Sequence, residues 1–384
     1  MTGYFAFENL TWPGVAALPR QVPLVIPLGS GYDLSRLASL LGNPSQVGLL
    51  PPIPFGWKGS RLAVDELLLA NLLDNLSGSL REDGFTEVFL LVPPGLNLNT
   101  KDSGRQLELA PQLEKETVST FLVEQDLHKV ILVPIGHTEQ HGFHLPLCTD
   151  TVIISAISQA VAAAVPAQAL NLPAMPYGVS THRSSFAGTL NTGGRAFEDF
   201  WLGVIDVLAA MGYKMIYLVS GHGGNCSFLT NVVKYAGERH PDIFCATAWL
   251  YLSGPQGIRV LEAHRRSGLG GMGHACELET SLMLHLRPDL VQMHKAVDET
   301  NFITTPSYYM DWVEGGALIA NPPWEDDSLT GAYGAGSLAK VENGTIWFEA
   351  AVAEKAAHVA EIIEQYQRRS ARRQERRLFG NLPR

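Results

Sequence analysis

The run His137-Thr138-Glu139-Gln140-His141-Gly142-Phe143-His144, closed by Thr149-Asp150, gathers imidazoles and carboxylates into 14 residues behind the apolar stretch Val130 to Ile135. Alternate side chains of an extended chain share a face, so Glu139 and His141 are expected to point the same way, with Asp150 returning from the following loop. Two carboxylates and an imidazole suit a divalent ion such as zinc, manganese or iron. A second cluster, Ser220-Gly221-His222-Gly223-Gly224-Asn225, stands where the apolar run Met215 to Val219 hands over to a helical pattern. His222 is expected as a further metal ligand, and the amides of Gly223 and Gly224, near a helix N-terminus, as donors to an oxyanion. A third cluster runs from Gly273 to Ser281 and opens a helix. His274, in the loop just before it, is placed for general acid or base work on a group held by the metal. Glu277 and Glu279 lie about 200° apart around a helix, so one faces the metal and the other faces away, and spacing alone does not choose.

The elements that must position these residues follow a βαβ rhythm. Strands are predicted over 130–135, 169–175, 215–220 and 243–252, and helices over 151–165, 196–211, 227–240 and 345–367. This alternation predicts a layered α/β/α unit with a mostly parallel sheet, its ligands collected in loops at the strand C-terminal ends. No histidine or cysteine precedes residue 128. The earlier stretch nevertheless mirrors the later one. Pro23 to Gly29 matches Val130 to Gly136, Pro54-Phe55-Gly56 matches Pro176-Tyr177-Gly178, and Gly84 to Val92 matches Gly212 to Ser220. Where the second copy has Glu139, His141 and His222, the first has Tyr32, Leu34 and Pro94. We therefore expect a truncated, degenerate copy without metal ligands over residues 1–112, joined through 97–112 to a catalytic unit over 113–367, then a basic tail over 368–384.

Of the 384 residues, 46% are hydrophobic and 17% charged, which suits a globular enzyme. The net charge of -10 argues against a nucleic-acid partner. The arginines 368, 369, 372, 373, 376 and 377 are read as cations at a helix C-terminus followed by a solvated tail. No window is long and apolar enough for a membrane span, no basic leader precedes an apolar core, and the cysteines lack a paired spacing, so a cytoplasmic setting is expected. Cys148, Cys226 and Cys276 each neighbour a motif residue and are read as buried packing. Trp312 and Trp324 fall in a Pro/Gly-punctuated stretch, as pocket lid or as packing.

From about residue 115 to 365 the chain resembles the creatininase (creatinine amidohydrolase) family. The likeness rests on Gly136-His137-Thr138-Glu139-Gln140-His141-Gly142 with His144-Leu145-Pro146 and Thr149-Asp150, then Phe186-Ala187-Gly188-Thr189, Gly221-His222-Gly223-Gly224-Asn225, His274 to Ser281, and Thr330-Gly331-Ala332-Tyr333-Gly334. The resemblance implies a hydrolase with two divalent ions (Zn, Mn or Fe) that opens a small polar cyclic amide, or cleaves a related C–N amide bond, through metal-bound hydroxide. It implies Glu139 and His222 on one ion, His141 on the other, Asp150 bridging, Glu279 as the remaining carboxylate and His274 as proton carrier. It also implies a small-molecule substrate and assembly into a homo-oligomer. Two departures bear on substrate. Many relatives have Ser-Pro-Glu-His where this chain reads Ser180-Thr181-His182-Arg183, so His182 and Arg183 are expected to read a polar substrate. Creatininase itself has a glutamate where this chain has Gly224, which argues against creatinine. The alternatives are a hydrolase or isomerase of an oxidised sugar or inositol ring, broken at a C–C bond, and a non-catalytic ligand-binding relative.

Overall fold

A computed structural model describes residues 2–101, 105–112, 126–181, 185–312 and 316–378. His182 and Arg183 lie outside them. The N-terminal part holds β1 (Gly3–Ala6), α1 (Trp12–Ala16), β2 (Leu24–Pro27), α2 (Leu34–Leu40), β3 (Gln46–Leu49), α3 (Glu66–Glu82), β4 (Val88–Val92) and β5 (Arg105–Glu108). The C-terminal part holds β6 (Val130–Ile135), α4 (Thr149–Ala164), β7 (Ala169–Asn171), α5 (Gly194–Ala210), β8 (Met215–Ser220), α6 (Gly223–Arg239), β9 (Phe244–Thr247) and α7 (Pro255–His264). It ends with β10 (Met272–His274), α8 (Glu277–Leu286), β11 (Tyr333–Gly334) and α9 (Val341–Leu378).

Two parallel sheets result, in the orders β1-β3-β2-β4-β5 and β7-β6-β8-β9. The central strands β6 and β8 of the second are buried along their whole length, as a parallel sheet covered on both faces requires, while the edge strands β7 and β9 are partly exposed. Ile131, Val133, Ile216 and Leu218 face one core with α5 and α6, while Val130, Leu132, Met215 and Tyr217 face another with α4, α8 and α9. The first core continues through α3 to Leu24, Ile26, Val88 and Leu90 of the other sheet, so a shared helical layer lies between the sheets.

Positions paired in the sequence comparison also correspond in geometry. Leu28 bridges Ile53 as Ile135 bridges Met175. The amide of Gly29 donates to the Ile53 carbonyl at 2.9 Å, as that of Gly136 does to Met175 at 2.9 Å.

Several predicted boundaries differ. The strand over 169–175 ends at Asn171, with only an isolated bridge at Met175. The strand over 243–252 ends at Thr247, because Leu250 and Leu252 take left-handed φ of 40° and 57°. The last helix runs to Leu378, so the arginines at 368–377 lie on the helix and not on a tail beyond it. Packing explains the extension: the Arg369 guanidinium covers the Phe244 ring at 5.3 Å and Arg373 donates to the Pro241 carbonyl. No helix among the described residues is long and apolar enough to cross a membrane.

Candidate metal centre

The loop leaving β6 is pressed against the start of α4. A Cβ on Gly136 would fall 2.5 Å from Thr151 Cα, so glycine permits the approach, and Thr151 Oγ1 donates to the His137 carbonyl. Gly142, at φ 60°, turns the loop back, and the Glu139 amide donates to the Leu147 carbonyl. The N-terminal part holds the far side of this loop. The amides of Leu147 and Cys148 donate to the carbonyls of Leu10 and Glu8, both at 2.9 Å. Trp12 packs on Phe143 and Phe186, and its indole N–H reaches the Thr330 carbonyl at 2.8 Å.

Three histidines are fixed by one ring nitrogen and present the other. His222 Nε2 donates to the Val179 carbonyl (2.9 Å), which leaves Nδ1 facing Glu139 Oε1 at 3.1 Å and Asp150 Oδ2 at 3.2 Å. His141 Nδ1 donates to the Glu139 carbonyl (3.1 Å), and its Nε2 faces Asp150 Oδ1 at 3.2 Å and Glu279 Oε1 at 3.9 Å. His274 Nε2 donates to the Gln140 carbonyl (2.7 Å), and its Nδ1 lies 3.6 Å from Glu139 Oε1. A ring nitrogen tied to a backbone carbonyl, with the other aimed at carboxylates, is the arrangement found behind metal-bound imidazoles.

Glu139, His141, Asp150, His222, His274 and Glu279 are all buried. Burial opposes charge on His141, but Asp150, Glu279 and Glu139 outweigh it and raise its pKa to about 9. His222 is likewise desolvated, and Glu139 and Asp150 raise it to about 10. Burial works against the Asp150 carboxylate as well, yet the two imidazoles hold it below its ordinary value. Three carboxylates in a closed space demand positive charge, and the oxygen and imidazole donor set fits a divalent cation such as zinc or manganese.

Helix α8 settles which glutamate faces the cluster. Glu277 turns away and accepts the amides of Arg266 (3.0 Å) and Ser267 (2.7 Å), which fastens the loop after α7. Glu279 joins His141 and Asp150, with ligand atoms within 4.8 Å of one another. Helix α6 begins at Gly223, four residues ahead of its predicted start, with His222 as its N-cap. A Cβ at Gly224 would fall 2.4 Å from His222 Nε2 and from the Val179 carbonyl, so no side chain fits there.

A cavity of about 330 Å³ opens onto the cluster, lined by Asp150, His222, Gly223, Gly224, His274 and Glu279 on one side and by Trp312 on another. Trp324 is buried edge-on to His274, with ring centroids 5.7 Å apart. Cys148, Cys226 and Cys276 are buried thiols, and burial pushes Cys226 up to about 11 and Cys148 to about 12. These values leave them protonated, as packing side chains.

His137 was given no role by the sequence reading. A ring nitrogen of His137 nevertheless lies within 4.8 Å of ligand atoms of Glu139 and His222. The same alternation that groups Glu139 with His141 includes it. Its Nδ1 accepts the Gly178 amide at 2.9 Å, so in the neutral ring the proton sits on Nε2.

The creatininase family model, described as creatinine amidohydrolase, matches residues 114–359. The chain belongs to the creatininase family. It is 33% identical over 171 residues to "Mycofactocin precursor peptide peptidase" of Mycobacterium ulcerans, a stretch covering 42% of this chain and 60% of that protein. It is 29% identical over 181 residues to "Creatinine amidohydrolase" of Pseudomonas putida, covering 44% of this chain and 68% of that protein. It is 26% identical over 262 residues to "3-dehydro-scyllo-inosose hydrolase" of Thermotoga maritima, covering 62% and 78%. Among solved structures, "Creatininase Mn" superposes with a TM-score of 0.52 at 26% identity, over 61% of this chain and 91% of that one. Membership in the family accounts for the mixed α/β unit with parallel strands over the second part of the chain.

Proposed function

We propose that this protein is a metal-dependent hydrolase that cleaves a C–N amide bond. The observation carrying the reading is the pair of imidazole nitrogens, His141 Nε2 and His222 Nδ1, directed at opposite oxygens of Asp150, each at 3.2 Å. That geometry supports Asp150 as the shared ligand of two divalent ions, zinc or manganese, with Glu139 and His222 on one and His141 and Glu279 on the other. Bound ions would supply a water of lowered pKa and polarise the substrate carbonyl.

This chain's own residues would do the rest. The amides of Gly223 and Gly224, in the first turn of α6, hold the carbonyl oxygen as it gains charge. His274, held by Gln140 and braced by Trp324, takes the proton of the attacking water at Nδ1. The C–O bond forms as that proton leaves the water, and His274 then passes the proton to the departing nitrogen as the C–N bond breaks. Trp312 forms part of the substrate wall, and we retain His182 and Arg183, on sequence grounds, as readers of a polar group on the substrate.

We read residues 1–112 as a copy of the catalytic unit that lost its ligands and now braces the 143–148 turn. The matched bridges at Leu28 and Ile135 and the shared strand order β3-β2-β4-β5 and β7-β6-β8-β9 support this. The four free thiols are compatible with a cytoplasmic enzyme, and the family likeness with a homo-oligomer.

The test loads purified protein with Mn²⁺ or Zn²⁺ and follows amine release from a panel of linear and cyclic amides beside oxidised ring ketones. Release from an amide is expected. Turnover of a ring ketone alone, or of nothing by fully loaded protein, sinks the proposal.

A further inference from the structure

The motif Phe186-Ala187-Gly188-Thr189 belongs to none of the ligand groups of the metal cluster, yet the chain that follows it brackets one of the ligands. Thr189 Oγ1 accepts the Gln140 amide at 3.1 Å, and the Leu190 amide donates to the Thr138 carbonyl at 3.0 Å. Both backbone neighbours of Glu139 are thereby tied to one short strap, so a shift of the strap would carry the Glu139 carboxylate with it.

The far side of the strap is held by helix α3, on the half of the chain that supplies no ligand. Asn75, Ser79 and Asp83 follow one another at intervals of four and so share one face of that helix. Asn75 Nδ2 donates to the Thr192 carbonyl at 2.8 Å, Ser79 Oγ accepts the Asn191 amide at 3.0 Å, and Asp83 Oδ2 accepts the Gly188 amide at 2.7 Å. The packing leaves little slack. Gly188 has a φ of 84°, and a Cβ there would fall 2.9 Å from Leu147 and 3.1 Å from Val15. A Cβ at Gly193 would fall 2.5 Å from Asn75 Nδ2.

Asp83 is the member of this stripe that most needs a reason. It is the C-cap of α3, where a carboxylate meets the negative end of the helix dipole. Burial also works against its charge and raises its pKa to about 6, although the Gly188 amide and the Arg20 guanidinium pull the other way. The charge-assisted bond to Gly188 offsets that double opposition.

We infer that Asp83 is a positioning residue for the metal ligand Glu139, acting from the ligand-free half through Gly188 and the Thr189-Leu190 strap. Asn75 and Ser79 serve the same end as neutral partners. The inference rests on the reading of Glu139 as a ligand, and it gives residues 1–112 a part in the metal centre separate from their contact with the 143–148 turn.

The test titrates full-length protein with Mn²⁺ and follows the electron paramagnetic resonance of the free and bound ion, which yields an affinity and a spectrum without requiring turnover. Asp83→Ala is expected to weaken binding on the order of tenfold, the lower end of the loss caused by removing an outer partner of a metal ligand, and to alter the spectrum of the bound ion. Asp83→Asn keeps a neutral acceptor for the Gly188 amide and is expected to bring the affinity back to within about threefold of the unaltered protein. Phe89→Leu, in the separate core between the first sheet and α2, is the control: it destabilises the same half and should leave the Mn²⁺ affinity unchanged. Should Asp83→Ala not fold, Ser79→Ala carries the same test, with a loss of about threefold expected. Unchanged affinity in the variant tested, an equal loss in Phe89→Leu, or no recovery in Asp83→Asn overturns the inference. Unaltered protein that takes up no Mn²⁺ would end the metal-centre reading together with it, whereas full uptake untouched by the substitution ends this inference alone.

Discussion

Asp150 Oδ1 lies 3.2 Å from His141 Nε2, although one residue opens helix α4 and the other sits in the loop behind β6. The other carboxylate oxygen faces His222 at the end of β8. One side chain thus joins the two ligand sets that separate strands deliver. Asp150→Asn is expected to remove both ions, whereas His222→Ala should lower the content from about two equivalents to about one. Elemental analysis of gel-filtered protein checks both. Full metal content in Asp150→Asn would refute the shared-ligand assignment.

The two acidic residues of α8 are expected to behave differently. Glu279→Gln should reduce metal affinity with little loss of fold. Glu277→Gln should keep the metal but destabilise the protein by about 1–3 kcal/mol, since the amides of Arg266 and Ser267 lose a charged acceptor. Denaturant unfolding alongside metal titration separates them, and the reverse outcome would exchange their roles.

Ion-free protein should lose stability as the solution becomes alkaline. His141 and His222 have folded pKa values of about 9 and 10, above the ordinary histidine value, so the stability they contribute is complete below about 6.5 and disappears as pH rises through 9 to 10. Loaded protein, in which cations replace those protons, should not show this decline. Metal binding should therefore release protons near pH 8 and tighten as pH increases, as calorimetry in buffers of different ionisation enthalpy would reveal. A flat ion-free profile across that window would contradict the assignment.

The N-terminal part is expected to matter to the metal loop through Trp12. Trp12→Ala should cost about 1–3 kcal/mol of stability, given its half-buried ring between Phe143 and Phe186. It should also weaken metal affinity, because the turn carrying residues 143–148 loses its support. Unchanged affinity would confine Trp12 to packing.

Much of the catalytic unit was legible because its central strands are buried on both faces and its ligands follow strand ends, two features that leave marks in local sequence. The side chains of Glu139, His141, Asp150, His222, His274 and Glu279 lie together in one buried cluster. The choice between Glu277 and Glu279 was not legible from spacing, since it depends on a loop eleven residues upstream that supplies amides to Glu277. His137 escaped because the face shared by residues 137, 139 and 141 was read only from Glu139 onward. The early end of β9 escaped for a different reason: the strand pattern runs on through Leu252, and nothing local announces that Glu354, 100 residues later, captures the Gly254 amide.

The carbonyls of Glu139, Val179 and Gln140 have one further consequence. By accepting the N–H of one ring nitrogen of His141, His222 and His274 from behind, they keep the other nitrogen of each ring turned toward the carboxylates. An arriving cation therefore meets donors already turned inward, and exchanging one ion species for another would demand no rebuilding of the chain around it.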